Sequence, residues 1–271
     1  MKQYYALDNN DPIIKCLARG ISPGVVQYTS TNQIKTLDAN IPLILRGMAK
    51  RKAVAICEKQ GRDFFYIDTG YIGNLGKKKN WHRIVKNGMQ HSQPRYDLPD
   101  DRFNKIIGNN KQLKFPNRWK KSGTTILLVT PSSKPCLFYG INRQEWIDQT
   151  INELKKYTDR PIIVREKGRR SQRTGSNSIY NQIVDDKVFA VVTYNSIAAT
   201  EAIGYGIPAF TLAPNIADTF CLKDLSKIET PLYADCEQVV KWQHWIGYGQ
   251  FTREEMQDSS ALKILKKYSI L

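Results

Sequence analysis

The sequence predicts an α/β protein of two Rossmann-like units that face each other across a cleft. Three observations lead to this prediction. Apolar, β-rich runs alternate with helix-like segments through residues 124–213, and a less regular alternation precedes them. The 271 residues are also enough for two modest domains, each with its own core. Alternation of strands and helices is typical of a parallel sheet with crossover helices.

Residues 1–122 are predicted to form the first domain, which would bind the acceptor and carry a basic insertion. Strands are expected at residues 3–8, 24–30 and 63–68, with a largely helical stretch at 42–61. A further helix is expected to begin at Asp11-Pro12, because proline suits the first helical turn. The polar, basic stretch 107–123 is typical of a linker.

Residues 123–230 are predicted to form a second, Rossmann-like domain. Its expected order is strand 124–130, helix 143–157, strand 160–167, helix 177–186, strand 187–194, helix 196–206 and strand 207–213. In the first of these helices, Trp146, Ile147, Ile151 and Leu154 recur at helical spacing. Residues 231–271 are predicted to form closing helices that pack back on the N-terminal unit.

The net charge of +16 and pI near 9.6 indicate an attraction for polyanions such as nucleic acid or phosphorylated substrates. The alternative is a lysine-rich surface that only aids solubility. The charge is local: residues 76–122 contain thirteen Lys/Arg against three Asp/Glu, interleaved with aromatic residues. The candidate DNA-binding residues are Lys77, Lys78, Lys79, Trp81, Arg83, Lys86, Arg118, Trp119, Lys120 and Lys121. Ordinary core aromatics and surface lysines remain the alternative for each of them.

Other features exclude several classes of protein. The five cysteines are scattered and form no C-x-x-C pair, which indicates reduced thiols in a cytoplasm. The three histidines form no metal-binding pattern, so no His-built metal centre is expected; a divalent metal stays open, although nothing in the sequence supports one. No apolar stretch approaches the roughly 20 residues of a membrane helix, and the N-terminus lacks a signal-peptide core. We therefore expect a cytoplasmic monomer without a membrane partner.

Two neighbouring segments of the second domain suggest a nucleotide site. The apolar run 187–194 ends at Asn195-Ser196, which can cap the next helix, and Glu201 follows within that helix. The helix N-terminus would present backbone N–H groups to a phosphate. Arg165, Lys167 and Arg169 end the preceding strand, and their charges suit a pyrophosphate. The alternatives are a simple N-cap, a solvated basic loop and an exposed helical glutamate.

This order of residues resembles the nucleotide-sugar half of GT-B glycosyltransferases: Arg and Lys after one strand, Ser at a helix start, then Glu-Ala leading to Gly-x-Pro. The resemblance implies a nucleotide-diphosphate sugar, such as a UDP-sugar, as co-substrate without a tightly bound cofactor. It covers residues 124–213 by motif. In charge and layout the chain is also similar to bacteriophage DNA glycosyltransferases, which act on hydroxymethylcytosine. This implies a hexosyl- or pentosyltransferase acting on a hydroxylated or hydroxymethylated base of double-stranded DNA, in the host cytoplasm.

A catalytic base is expected at the end of an N-terminal strand. Asp68 is the first candidate, since its carboxylate could take the proton of an acceptor hydroxyl, and His91 is the reserve. Turn formation is the alternative role of Asp68. Two other functions remain open: a GT-B-like nucleotide-sugar enzyme acting on a polysaccharide or small acceptor, and a non-enzymatic nucleic-acid-binding protein.

Overall fold

The computed structural model describes residues 3–7, 10–22, 24–74, 80–166, 178–268 and 270. The strands are β1 (Tyr4–Leu7), β2 (Val26–Thr29), β3 (Leu43–Arg46), β4 (Phe64–Thr69), β5 (His82–Lys86), β6 (Thr125–Val129), β7 (Ile162–Arg165), β8 (Val188–Thr193), β9 (Ala209–Thr211), β10 (Cys221–Leu222) and β11 (Gln250–Phe251). The helices are α1 (Pro12–Ile21), α2 (Arg51–Gln60), α3 (Asp101–Ile107), α4 (Ser133–Tyr139), α5 (Arg143–Leu154), α6 (Ile179–Asp185), α7 (Ala198–Gly204), α8 (Cys236–Tyr248), α9 (Arg253–Gln257) and α10 (Ser260–Lys267). The predicted α/β class with two largely parallel sheets is confirmed.

The described chain divides into two compact units. Unit 1 comprises residues 3–74, 80–91 and 248–270, and unit 2 comprises residues 92–247. The division after His91 differs from the predicted boundary at residue 122, and the predicted linker belongs to unit 2.

The predicted linker packs into unit 2 because its apolar side chains are buried. Leu113 and Phe115 are almost fully enclosed. The buried side chain of Gln243 accepts from the Phe115 N–H at 2.9 Å and donates to the Leu113 carbonyl at 2.8 Å. The four large apolar residues of this stretch, Ile107, Leu113, Phe115 and Trp119, keep to neither helical nor strand spacing, so the sequence does not indicate this packing.

Unit 1 contains a six-stranded sheet in the order β11-β5-β4-β3-β1-β2. Strands β1 to β4 are parallel, β5 runs antiparallel to β4, and β11 runs antiparallel to β5. Asp11 caps α1 by accepting from the N–H groups of Ile13 and Ile14, and Pro12 opens the helix as predicted.

Of the helices predicted in residues 231–271 to pack back on the N-terminal unit, α9 and α10 complete the core of unit 1. Helix α8 instead belongs to unit 2 as far as Gly247, because its buried Trp242 and Gln243 bond to the Ile216 and Leu113 carbonyls. Met256 of α9 and Leu265 of α10 are fully buried in one cluster with Ile13 and Leu17 of α1. Helices α1 and α9 approach so closely that a Cβ atom on Gly20 would lie 1.8 Å from the Met256 carbonyl oxygen.

Unit 2 contains a five-stranded parallel sheet in the order β10-β9-β8-β6-β7. The central strands β6 and β8 are buried on both faces, which is why they appear in the sequence as continuous apolar runs. The predicted strands and helices of residues 124–213 are confirmed, each within a few residues of its expected ends.

Two short segments of unit 1 differ from the prediction. The stretch 42–61, expected to be largely helical, divides into strand β3 and helix α2. Strand β11 lies between the two segments expected to form the closing helices, and it pairs with β5, a strand that the sequence does not predict. Strands of two to five residues are set by their partners in the sheet, so their own sequence carries little signal. Within the described residues, no helix is long and apolar enough to cross a membrane.

Candidate active site

Three of the predicted nucleotide-binding residues, Arg165, Asn195 and Ser196, lie at the carboxyl edge of the unit 2 sheet. Arg165, Val129, Thr193 and Thr211 lie in one register row across β7, β6, β8 and β9. The strand order places the first strand, β6, between the second and the third, so the direction of winding reverses between β6 and β8. In open α/β sheets, ligands bind outside the carboxyl ends of the strands at this switch point.

The loop after β6 forms one side of this switch point. Arg143 of α5 holds it: Nη2 donates to the Thr130 hydroxyl at 2.8 Å, and Nε donates to the Pro131 carbonyl at 3.1 Å. The same guanidinium pairs with Glu166, which follows β7, at 3.1 Å. These residues were not among the predicted site residues, because the switch point is defined by the strand order.

The loop between β8 and α7 forms the other side. The Ser196 N–H donates to the Thr193 hydroxyl at 3.3 Å, and the Ser196 hydroxyl accepts from the Ala198 N–H at 3.3 Å. Asn215 donates to the Ser196 carbonyl at 3.0 Å. Asn195 is buried beside them, and Glu201 is half-buried in α7. The loop is therefore held in one conformation by local hydrogen bonds.

Arg165 ends β7 at the same edge, where it donates to the side chain of Gln182 in α6. Strand β6 lies between β7 and β8, so the Cα atoms of Arg165 and Thr193 are two strand spacings apart, about 10 Å. An extended arginine covers most of that distance. Lys167 and Arg169 lie outside the described residues.

Asp68 lies near the carboxyl end of β4 in unit 1, with about a quarter of its side chain exposed. Its carboxylate accepts from the Tyr66 hydroxyl at 2.8 Å and from the Thr69 N–H at 2.7 Å. Burial raises the pKa of Asp68, but the Arg83 guanidinium and these hydrogen bonds more than offset it, so the pKa lies below its ordinary value. The side chain is an ionised carboxylate at neutral pH.

Arg83, a predicted DNA contact, is 5% exposed, and its guanidinium bonds to other residues of unit 1. It donates to the Thr69 carbonyl at 2.7 Å and to the Met89 carbonyl at 3.0 Å, and it pairs with Asp68 at 3.4 Å. Its guanidinium also lies 5.1 Å from the ring centroid of Tyr71. A guanidinium with these partners is not available to a phosphate, so Arg83 is a structural residue of the fold.

His91, the reserve base, is 7% exposed. Its Nδ1 lies 2.9 Å from the Tyr71 hydroxyl, which also accepts from the His91 N–H at 3.1 Å. Burial, together with the Arg83 charge, lowers the pKa of His91 to about 3. His91 is therefore neutral and enclosed, and of the two candidate bases Asp68 is the one with a partly exposed side chain.

The remaining DNA candidates occupy different environments. Trp81 is buried, and Lys86 pairs with Asp63 at 3.2 Å. The Trp119 indole N–H donates to the Ala234 carbonyl at 2.7 Å, and Lys120 lies 3.1 Å from the ring centroid of Tyr205. Arg118 and Lys121 are exposed, and Lys77, Lys78 and Lys79 lie outside the described residues.

In the part of the chain that the structure describes, no group of three or more His, Cys, Asp or Glu side chains could hold a metal ion.

Comparison with solved structures shows a glycosyltransferase fold. The chain is similar to the β-Kdo 2,7-transferase of Thermosulfurimonas dismutans KpsC, with a TM-score of 0.54, 13% identity, and coverage of 96% of this chain and 99% of that chain. The β-Kdo 2,4-transferase of the same protein gives a TM-score of 0.47 and 10% identity, covering 89% and 90%. No family model matches the sequence. No curated protein matches it either.

Proposed function

We propose that this protein is a glycosyltransferase that moves a sugar from a nucleotide-activated donor to a hydroxyl group of a saccharide. The observation that carries the proposal is the similarity of fold over nearly the whole of both chains to a transferase of the sugar Kdo. The location of the polar loops supports it, since they gather at the switch point of the unit 2 sheet, where α/β folds bind nucleotides.

In this proposal, unit 2 binds the donor. The loops after β6 and β8 would enclose the nucleotide, and Arg165, Lys167 and Arg169 would neutralise its phosphate groups. Asn195, Ser196 and Glu201 would contact the nucleotide or the sugar. The hydrogen bonds that Arg143 and Asn215 make to the two loops fix them before the donor arrives. Such fixed dipoles cost no reorganisation during the reaction.

Asp68 of unit 1 would act as the general base. The acceptor oxygen forms a bond to the anomeric carbon while its proton passes to the Asp68 carboxylate. The bond between the anomeric carbon and the donor phosphate breaks, and the phosphate leaves with the electron pair. The low pKa of Asp68 keeps the carboxylate ionised at neutral pH, and it would take up the proton as the new bond forms.

The test combines donor binding with transfer. Nucleotide-activated sugars, including UDP-sugars and an activated Kdo, are titrated by calorimetry and then incubated with a panel of oligosaccharides, with products detected by mass spectrometry. Arg165→Ala should weaken nucleotide binding by about 1.5–3 kcal/mol, the range for a hydrogen bond to a charged group. The control is Arg95→Ala, which removes an exposed guanidinium that pairs with Asp97 in the same unit.

Asp68→Asn should leave donor binding intact and reduce transfer by about 10²–10⁴-fold, the usual contribution of a positioned base. Full turnover in this variant would show that a group other than Asp68 acts as the general base. A wild-type protein that binds no nucleotide-activated sugar would overturn the proposed function itself.

DNA with a hydroxymethylated base is a second candidate acceptor. The supporting observation is a run of exposed cations in unit 2, formed by Lys114, Arg118 and Lys121. Nucleosides from hydroxymethylated DNA that has been incubated with the protein and the same donors would carry the sugar if DNA is the acceptor.

A further inference from the structure

A polar groove of about 440 Å³ lies at the carboxyl ends of β1 and β2 in unit 1. It is lined by Leu7, Tyr28, Thr29, Ser30, Thr31, Gln33 and Lys50. None of the proposed donor or base residues lines it. Its chemistry is that of a sugar site: an aromatic ring, several hydroxyl groups, an amide and one cation.

The loop that forms the groove is held in shape by one side chain. The Gln33 amide oxygen accepts from the Ser30 N–H at 3.1 Å, from the Ser30 hydroxyl at 3.0 Å and from the Thr29 hydroxyl at 3.3 Å. These bonds use the amide oxygen of Gln33, while its amide N–H groups donate to no described residue. The loop therefore offers hydrogen-bond donors without needing to reorganise.

Tyr28 supplies a flat surface beside these polar groups. Its side chain lies on the edge strand β2 and is 44% exposed, which is unusual for a large aromatic residue in this chain. The apolar face of a sugar ring packs well on an exposed aromatic ring, while its hydroxyl groups reach the neighbouring polar side chains.

Lys50 gives the groove a positive charge. Among the described residues, no carboxylate lines the groove and none forms an ion pair with Lys50. The nearby Arg46 is different, since it pairs with Asp11 at 2.7 Å. A cation beside hydroxyls and an aromatic ring fits a sugar that carries a carboxylate or a phosphate.

The Tyr28 end of the groove is distant from the proposed base. Asp68 is on β4 and Tyr28 is on β2, and the sheet order places β2 three strand spacings from β4, about 14 Å. This distance exceeds the width of one sugar ring. A ligand that packs on Tyr28 and also reaches Asp68 must therefore contain several sugar residues.

We propose that the groove binds an anionic sugar residue of an oligosaccharide acceptor, remote from the hydroxyl that reacts. That the groove binds an anionic sugar follows from the groove itself. That this sugar belongs to the acceptor rests on the proposed function. Contacts to a non-reacting part of a substrate supply binding energy that can be used at the reacting centre.

Binding is tested first, in the absence of any donor. Tetragalacturonic acid is the anionic probe and maltotetraose the neutral one, both titrated by calorimetry into the full chain. The anionic probe should bind and the neutral one should bind at least tenfold more weakly. Tyr28→Ala and Lys50→Gln should each raise the Kd for tetragalacturonic acid about tenfold or more, while Tyr28→Phe and Lys50→Arg retain most of the affinity.

The controls remove a tyrosine and a lysine side chain at positions outside the groove. Tyr157→Ala truncates a tyrosine of similar exposure in unit 2, and Lys15→Gln removes an exposed lysine of α1. Circular dichroism verifies the fold of every variant. Unchanged affinity in Tyr28→Ala and Lys50→Gln would overturn the inference, as would the absence of binding to tetragalacturonic acid. Binding of an oligothymidylate that these two variants abolish would assign the groove to nucleic acid instead.

Transfer is measured separately, with the donor and acceptor found in the test of the proposed function. Tyr28→Ala should raise KM for acceptors of four or more residues and leave mono- and disaccharide acceptors unaffected. Equal effects at every length would show that the groove has no remote role. If no transfer occurs with any acceptor, the proposed function fails, and the calorimetric result still decides whether the groove binds sugar.

Discussion

Arg83 illustrates how a single residue can be misassigned from charge alone. In the sequence it is one of many cations between residues 76 and 122. In the structure it is buried, bonded to two carbonyl groups, and paired with the candidate base Asp68. Asp68 is different, because it is predicted from its position at the end of an apolar strand. That strand, β4, is present in the structure, so Asp68 lies where the sequence predicts it. The partners of Arg83 lie in two segments, residues 68–71 and Met89, on either side of it in the sequence, so no local pattern indicates its burial.

The burial of His91 leads to a prediction about pH. The folded-state pKa of about 3 is below the ordinary 6.5, so between these values the unfolded chain binds a proton that the folded chain does not. Stability contributed by neutral His91 is complete above pH 6.5 and is lost as pH falls, by up to about 1.4 kcal/mol per pH unit.

Urea unfolding from pH 7.5 to 4, followed by circular dichroism, measures this dependence. His91→Gln should be less stable at neutral pH but should lose stability more slowly on acidification. Parallel pH profiles for the two proteins would show that His91 takes up its proton without unfolding.

Gly20 gives a prediction about packing. An alanine at this position in α1 would place its Cβ 1.8 Å from the Met256 carbonyl oxygen, which is backbone and cannot move aside as a side chain would. Gly20→Ala should therefore lower the free energy of unfolding by about 1–3 kcal/mol, or more if the helices must separate. Gly88→Ala is the control, since its new Cβ would meet its nearest neighbour at 3.5 Å. Similar unfolding midpoints for the two variants would contradict the close contact of α1 with α9.

At the scale of elements, unit 2 was the more predictable half. Its strands β6 and β8 are long enough and apolar enough to be recognised alone, and helices such as α5 have a clear apolar period. The short strands β5 and β11 of unit 1 are recognisable only as a pair. The position of the switch point, and with it the loop held by Arg143, follows from the strand order, which a single sequence does not contain.

One side chain of β11, that of Gln250, anchors the loop after β4, and this contact can be tested. Gln250 is fully buried, and its amide oxygen accepts from the N–H groups of Tyr71 at 2.7 Å and Ile72 at 3.3 Å. Its amide nitrogen donates to the Ile72 carbonyl at 3.0 Å. Gln250→Ala leaves these backbone groups without their partner, so stability should fall by about 1–3 kcal/mol.

Amide hydrogen exchange locates this effect. The Tyr71 and Ile72 amides should exchange much faster in Gln250→Ala, whereas Gln238→Ala, at an exposed position of α8, should change neither exchange nor stability. Unchanged protection of Tyr71 would mean that the loop after β4 is held by other contacts.

At the scale of the whole molecule, the net charge of +16 has to be reconciled with a saccharide acceptor. An anionic saccharide and DNA would both be attracted, but they differ in how strongly salt weakens binding. Each phosphate contact to duplex DNA lowers log K by about 0.9 per tenfold rise in salt concentration, so DNA contacted by several cations should be released steeply.

Charge reversal separates the two acceptors. In a variant with Lys114, Arg118 and Lys121 all changed to Glu, binding to duplex DNA measured by fluorescence anisotropy should be lost, while binding to tetragalacturonic acid should remain, because none of the three residues lines the unit 1 groove. Loss of both would point to a general electrostatic attraction without a defined surface. Retention of DNA binding would show that other cations, such as Lys77, Lys78 and Lys79, bind the DNA.

The return of residues 248–270 to unit 1 has a consequence for how the protein is made. The described residues of unit 2 all lie between Ser92 and Gly247, whereas unit 1 needs β11, α9 and α10, which the ribosome synthesises later. During translation unit 2 can fold first, while β1 to β5 still lack part of their core. A chain released early, at residue 247, would therefore be a folded unit 2 with a protease-sensitive N-terminal extension.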